Sequence, residues 1–397
     1  MQPSPTSFDA AVVGTGIAGM AAALALARRG VRVSLLGPRP ALPDARPDVF
    51  DPRVYALSPA SQDFLMQLGA WGAIPPERIT AVEAMDIAGD GATVHLAAAQ
   101  AGLPALASIV EGQALERALR TALQVFGVPW TASRFTGLTR RTDSSDLELH
   151  VEGGARLATR LAVAADGAAS PLRAAAGLSV QQRDYDHTGL VVHLDAELPH
   201  LGTALQWFTD HGVLALLPLP DTADGAQVSM VWSMPRERAA ELQALPPDDL
   251  GPRLTAMLAD VTAGRLGRLT PRSALHGFPL TLLTAPQIVA RGVALVGDAA
   301  HVVHPLAGQG LNLGLGDAHA LAEAVGGREA YRGPGDERVL RRYQRGRAEP
   351  VTGMRLATDG LYHLYQAPVG LLRFAGMRLV EQLPFAKRAL IRRASQF

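Results

Sequence analysis

Three short segments rich in glycine and aspartate carry the chemistry legible in this chain. The first, Gly14-Thr-Gly16-Ile-Ala18-Gly19, follows an apolar run and opens an Ala/Leu-rich one. Glycines at this spacing allow a tight turn, close approach of the backbone to a diphosphate and close packing of a helix on a strand. The helix N-terminus then offers free N–H groups and partial positive charge to the anion. The second is Asp166-Gly167-Ala-Ala-Ser170-Pro-Leu-Arg173. The third is Gly297-Asp298-Ala-Ala-His301, running on to His304-Pro305-Leu-Ala-Gly308-Gln309-Gly310-Leu311-Asn312. A carboxylate at the C-terminal edge of a strand, here Asp298, can accept hydrogen bonds from a polyol chain. Gly308 and Gly310 lead into a helix whose N–H groups and dipole stabilise negative charge on a ring edge.

Each segment also has a plainer reading. The first could be a structural turn, but its strand–turn–helix setting favours a bound dinucleotide. Asp298 could be a helix N-cap, Asp166 could cap a turn, and Arg173 could be a solvated helix charge. His301 and His304 form an HxxH pair, but no third ligand follows, so no metal is expected. Trp207, Phe208 and Trp232 fit alternating strand positions and read as core or pocket wall.

These segments must be held by an α/β frame. Phe8–Val13 reads as a buried strand, Ala18–Arg29 as a helix ended by Gly30, and Val31–Leu36 as the next strand. Residues 38–52 read as a loop, Ser58–Leu68 as a helix, and Glu111–Val125 as a helix with Leu115, Leu119 and Leu123 on one side. Leu147–Val151 and Leu161–Ala165 read as strands. The pattern then changes: His187–Leu194, Thr203–Phe208, Val213–Leu217 and Gln227–Trp232 alternate as successive strands of an antiparallel sheet, with a turn at Thr209-Asp210-His211-Gly212. Val293–Val296 returns to a buried strand, a helix follows at 311–325, and the chain from Asp336 is helical, broken near Pro350, Pro368 and Pro384.

The composition narrows the classes. The chain has 397 residues, 48% hydrophobic and 19% charged, which suits a globular protein with a large core rather than a disordered one. Its 37 basic and 37 acidic residues balance, which argues against a nucleic-acid binder. Cysteine is absent, excluding disulfides, thiolate catalysis and iron–sulfur clusters. Lys387 is the only lysine, which leaves no P-loop. Met1–Asp9 lacks the basic region of a signal peptide. Ala10–Ala27 is uncharged for 18 residues, the length of a membrane span, but its glycines and strand–turn–helix pattern argue against one. A cytoplasmic protein is expected.

The three segments, in this order and setting, resemble those of the single-component FAD-dependent aromatic hydroxylases, and within them the ubiquinone-biosynthesis branch. Asp51-Pro-Arg53-Val-Tyr-Ala-Leu-Ser58, Phe208 to Leu219, His304–Gly314 and Leu340–Arg347 carry the closer likeness. The resemblance implies an α/β fold: a Rossmann-like FAD-binding domain (1–178 and 285–350), an inserted antiparallel β-sheet substrate domain (179–284) and a helical C-terminal region (351–397). It implies that Gly14, Gly16, Ala18 and Gly19 contact the FAD diphosphate and that Arg53 and Gln113 are polar FAD contacts. Asp166, Gly167 and Arg173 would lie near the diphosphate. Gly297 and Asp298 would hold the ribityl chain, and Gly308, Gln309, Gly310, Leu311 and Asn312 the pyrimidine edge. Pro305, with His304 beside it, would stand where oxygen reacts. One departure stands out: Gly37 replaces the acidic residue expected at the adenosine ribose, leaving Arg39, Asp44, Asp48 or backbone as substitutes.

The activity so implied is hydroxylation of a phenolic ring through a flavin C4a-hydroperoxide, with NAD(P)H as a transient reductant, since no second GxGxxG is present. The substrate would be a lipophilic polyprenylphenol, with Leu214, Leu216 and Leu217 compatible with its pocket. Tyr185, His187 and His193 lie where a base could sit, but none is assigned. Alternatives are a hydroxylase of a small soluble phenol, a flavin halogenase (disfavoured, with no lysine before Lys387), a non-catalytic FAD-binding scaffold of a quinone-synthesis complex, and a plain NAD-binding regulator.

Charge is unevenly spread. From Arg338 onward there are twelve basic and three acidic residues, so this tail is +9 and the rest −9. Leu371, Leu372, Phe374, Met377, Leu379 and Val380 lie among these arginines. The tail reads either as a basic amphipathic surface for anionic lipid, making the protein peripheral to the inner membrane face, or for a quinone-biosynthesis partner protein. The plainer reading is that its arginines pair with the acidic front of the chain or face solvent.

Overall fold

The computed structural model describes residues 6–44, 46, 48–140, 146–209, 212–303, 310–366 and 370–396. His304, Pro305, Gly308 and Gln309 lie outside the described residues, as do Asp210, His211 and Pro368 and the side chains of Leu371 and Leu372.

The fold is mixed α/β, built on two large sheets. The first has eight strands. At its centre Thr6–Val13 pairs in parallel with Val33–Leu36 on one side and Arg156–Ala164 on the other. Val293–Leu295 extends it beyond Arg156–Ala164, and Trp130–Thr131 beyond Val33–Leu36, both in parallel. The helix Ile17–Arg28 is buried from Gly19 through Leu26, because it is sandwiched between this sheet and the helices Gly112–Val125 and Gly310–Gly326. A helix apolar on all sides is stable only when so enclosed. The apolar run at residues 10–27 is therefore a strand and a buried helix, and no described helix is long and apolar enough to cross a membrane.

The second sheet has nine strands. Its core is the antiparallel set Gln181–Ala196, Ala226–Pro235, Gly212–Pro218 and Thr203–Thr209. The sheet is wider than segment 179–284: Ala84–Gly89 joins Thr203–Thr209 in parallel, Ala92–Ala97 forms the outer edge, and His301–Val302 pairs at the other end. Strand alternation divides its faces. Leu190, Val192, Leu194, Leu214, Leu216, Met230 and Trp232 point into a core closed by the helices Arg236–Gln243 and Pro247–Thr262. Leu214 and Leu216 are thus core residues, not pocket wall.

A small antiparallel sheet, Val54–Leu57 with Ala107–Glu111 and Ile79–Val82, bridges the two. The C-terminal region is helical: Glu337–Gln366, Gly370–Gln382 and Pro384–Ala394. The break expected at Pro350 is absent, since the helix runs through it. The helix accommodates the proline by giving up one hydrogen bond, the one its missing N–H would donate to the Gly346 carbonyl. The last two helices pack over the edge strand Ala92–Ala97 and the turn after it, covering backbone groups that an open edge would expose.

Candidate functional site

The ends of the parallel strands bring the three segments together. Val13 pairs with Leu36 and Ala164, and Ala164 with Leu295. The next residues, Gly14, Ala165-Asp166-Gly167 and Val296-Gly297-Asp298, therefore share one rim, at the point where the chain leaves the central strand in both directions. Open α/β sheets bind ligands at such a switch point. Gly14 has φ +116°, and a Cβ there would meet the Ala165 carbonyl oxygen at 2.0 Å. Gly19 packs as closely on Gly14, its Cβ position lying 2.1 Å from the Gly14 oxygen. Gly16, the N-cap, has no side-chain cap, and a Cβ there would stand in open space. The first helical turn thus presents uncapped N–H groups to a cleft of about 710 Å³.

Gly14, Gly16, Ala18, Gly19, Arg53, Asp166, Gly167, Asp298, Gly310 and Leu311 line this cleft. Tyr55, Glu116 and Arg134 line it too, and sequence reasoning had assigned them no role. Asp298 opens to the cleft while its flanks are crowded by protein. Burial pushes its carboxyl above the usual range, opposed by nearby His301. The donor set fits FAD: free N–H groups for a diphosphate, and a carboxylate at a strand end for the ribityl hydroxyls.

The missing acid at position 37 has a steric cause. Gly37 has φ +149°, and a Cβ there would come within 2.8 Å of the Thr15 methyl. Thr15 is itself anchored, its Oγ1 donating to the Pro38 carbonyl at 2.8 Å. Asp44 and Asp48 are exposed and do not line the cleft, and Arg39 lies over the Trp130 ring. Besides Asp166 and Asp298, a third carboxylate reaches the cleft: Glu116, from the helix Gly112–Val125, 3.8 Å from both Arg53 and Arg120.

Several of the expected contact residues also hold protein groups. Asp166 accepts from the Leu172 N–H at 3.0 Å and from the Ser170 hydroxyl, capping the short helix Pro171–Ala175 while still facing the cleft. Burial raises its carboxyl pKa and the Ser170 hydrogen bond opposes that. Arg173 is buried, not solvated, and does not line the cleft. It donates to the carbonyls of Ala299 at 2.9 Å and Ala168 at 2.7 Å, tying the second segment to the third. Gln113 donates its backbone N–H to Asp51, and Asn312 holds the Ala56 carbonyl and Ser58 N–H. Gly297 packs on Ala18 and Gly314.

Behind the third segment lies a buried ion cluster that the sequence did not reveal. Asp317 accepts from the Gly297 N–H at 2.9 Å and from Arg347 Nε at 2.6 Å, and lies 2.6 Å from His301 Nε2. Burial raises its carboxyl pKa, but His301 and Arg347 outweigh that and hold it low. A second cluster fixes the loop before Arg53. Glu111 accepts from the Asp51 N–H at 2.5 Å and from Arg78 at 2.8 Å, and Asp51 accepts from the Arg53 N–H at 3.1 Å.

Beside the cleft lies a mainly apolar cavity of about 440 Å³, shared with it at Arg53, Tyr55, Gly310 and Leu311. Val191, Ala215, Leu217 and Val231 of the second sheet form one wall. Leu390, Ile391 and Ala394 of the last helix form another. Of the base candidates, His193 is buried against the Asp51 carbonyl, and His187 against the Tyr185 carbonyl, and none of Tyr185, His187 and His193 lines the cavity.

A family described as FAD binding domain matches residues 7–355. The chain is 34% identical to the 3-demethoxyubiquinol 3-hydroxylase of Escherichia coli, over 99% of each protein. It is 33% identical to the ubiquinone hydroxylase UbiL of Rhodospirillum rubrum, over 97% of this chain and 89% of that protein. In fold it is similar to the p-nitrophenol 4-monooxygenase of Pseudomonas putida, with TM-score 0.78, 18% identity and 99% of both chains covered.

Proposed function

The chain belongs to the FAD-binding-domain family, and on that footing we propose that it is an FAD-dependent, NAD(P)H-consuming monooxygenase. Its proposed substrate is a lipophilic phenol, a polyprenylated precursor of ubiquinone, and its co-substrate dioxygen. The full-length similarity to hydroxylases named for ubiquinone synthesis supports this. The single observation that carries it is the apolar cavity opening into the cleft at Arg53, Tyr55, Gly310 and Leu311.

Bound FAD supplies the redox chemistry, taking a hydride and activating oxygen. The residues of the chain position and enclose. In this reading Gly14, Gly16, Ala18 and Gly19 hold the diphosphate, flanked by Asp166 and Gly167. Asp298 holds the ribityl hydroxyls, and Glu116 takes the ribose role that Gly37 cannot. Gly310 and Leu311 border the ring, with His304, Pro305, Gly308 and Gln309 assigned beside it by family likeness. The apolar walls exclude water from the reacting ring. Residues 1–178 and 285–350 are proposed as the cofactor domain, with 84–97 lent to the sheet of the substrate domain 179–284, and 351–397 as a peripheral tail whose last helix closes the substrate cavity. That tail is proposed to rest on an anionic membrane, where its substrate partitions.

Purified protein should be yellow and release FAD, and a prenylated phenol should stimulate NAD(P)H oxidation and yield its hydroxylated product. Strains blocked at single ring hydroxylations of ubiquinone synthesis should be rescued at one step. A colourless protein that cannot be reconstituted would end the flavin reading. Stimulation by small soluble phenols without rescue would favour a soluble hydroxylase.

A further inference from the structure

Among the described residues that the second sheet gives to the cavity wall, Gln206 is the one polar side chain. Strand register aligns Val191, Val231, Ala215, Gln206 and Ile87 in one row across five adjacent strands. Gln206 is 6% exposed and lines the cavity. Its side-chain amide has no hydrogen-bond partner among the described residues. Its small neighbours Ala215, across the strand pair, and Ala204, two residues before it, also line the cavity and leave the amide unscreened. Gln227, fully buried in the same sheet, is half paired: its Nε2 donates to Asp195 at 3.2 Å and Thr222 at 3.0 Å, while its Oε1 has no partner among the described residues.

An amide in an apolar wall is unfavourable unless it is paired. The Gln206 amide has no protein partner among the described residues and borders the cavity, so water or a ligand there can pair it. We propose that Gln206 is a specificity-determining residue that hydrogen-bonds the oxygen substituent of the aromatic ring. This rests on the cavity being the substrate site. The amide offers a donor and an acceptor, so it takes either a hydroxyl or a ring carbonyl or ether oxygen. It also does not titrate, so its recognition is independent of pH. The other polar lining groups, Arg53, Tyr55 and Ser58, come from the segment between cleft and cavity. Gln206 alone brings polarity from the sheet row, fixing where a lipophilic substrate places its polar end. A site built to pair a hydroxyl rejects the analogue that lacks it.

The test is calorimetric titration of the FAD-loaded protein with 2-geranylphenol and with geranylbenzene, in the wild type, Gln206→Leu and Gln206→Met. Wild type should prefer the phenol by about tenfold or more. Both variants should bind the two ligands alike, with affinity for the hydrocarbon unchanged and the unfolding temperature equal or higher. A preference retained in both variants overturns the assignment alone. Parallel loss of both ligands with a lowered unfolding temperature assigns Gln206 to the fold and overturns it too. A wild type that binds neither ligand overturns the reading of the cavity as substrate site, and this assignment with it.

Discussion

Asp298 and Glu116 are the two carboxylates on which the cofactor assignment turns. The carboxyl of Asp298 is pushed up by the protein crowding its flanks, so the cofactor-free fold disfavours its charged form relative to the unfolded chain. Its stabilising contribution is full below the ordinary carboxylate pKa and is lost as pH rises through the raised value. Asp298→Asn should therefore leave the unfolding temperature of the cofactor-free protein at neutral pH unchanged or higher. The same change should weaken FAD binding by roughly ten- to a hundredfold, the worth of hydrogen bonds to a charged acceptor. Unaltered FAD affinity by fluorescence titration would remove Asp298 from the site. Glu116→Gln should weaken FAD roughly tenfold on the same grounds. Gly37→Asp, which restores the residue common at that position, should not compensate. It should cost about 1–3 kcal/mol in denaturant unfolding, because it forces a side chain into positive φ against Thr15. Rescue of the Glu116→Gln defect by Gly37→Asp would refute the substitution argument.

The helix Gly310–Gly326 is held to the third segment by Asp317, which joins Gly297, His301 and Arg347 in one buried cluster. Because its carboxyl is held low, its contribution is present above the ordinary carboxylate pKa and is lost as pH falls through the depressed value. Asp317→Asn leaves Arg347 buried without its counter-charge, which should cost about 3–5 kcal/mol. Its stability should also fall less steeply in acid than that of the wild type, read from urea midpoints across pH. Equal slopes would show that the cluster is not what links this helix to acid stability. The strand ends themselves were legible: Leu147–Val151 matches its expected bounds, and the strands that precede the three segments lie within a few residues of theirs. The two sheet additions at Ala84–Ala97 were not legible. Ala84–Gly89 is mostly half-buried with weak alternation, and its parallel partner more than a hundred residues away leaves no local trace; Ala92–Ala97 does alternate, but it pairs only with that strand.

The uneven charge of the whole chain has a mixed outcome. Arg347 and Arg342 of the tail pair with Asp317 and Glu329 of the preceding part, as the plainer reading held. Lys387, the sole lysine, pairs with Glu381 at 2.7 Å, and Glu381 also accepts from the His95 N–H at 2.8 Å. These contacts seat the last helix on the second sheet, with Ile391 buried against Val94 and Leu96. Leu379, Phe385 and Leu390 remain exposed beside arginines. The full chain should float with anionic vesicles at low salt and dissociate at high salt, since exposed charge is screened within about 10 Å at 0.1 M. A chain ending at Leu383 should lose that binding and, with one cavity wall gone, bind more of an apolar fluorescent dye. Flotation that survives the truncation would move the membrane contact elsewhere.

The cofactor segments could be read without coordinates because their requirements are local. A tight turn after a strand needs glycine at fixed spacing, and a helix start needs free N–H groups. Likewise, the class of cleft followed from the order of three such turns. Which side chains reach that cleft could not be read in the same way. Arg173 and Asn312 turned inward to hold backbone groups, Glu116 arrived from a helix distant in sequence, and Leu217 parted from Leu214 and Leu216. Each outcome depends on which face of a strand or helix meets its neighbour, and that is settled by packing between segments far apart in the chain.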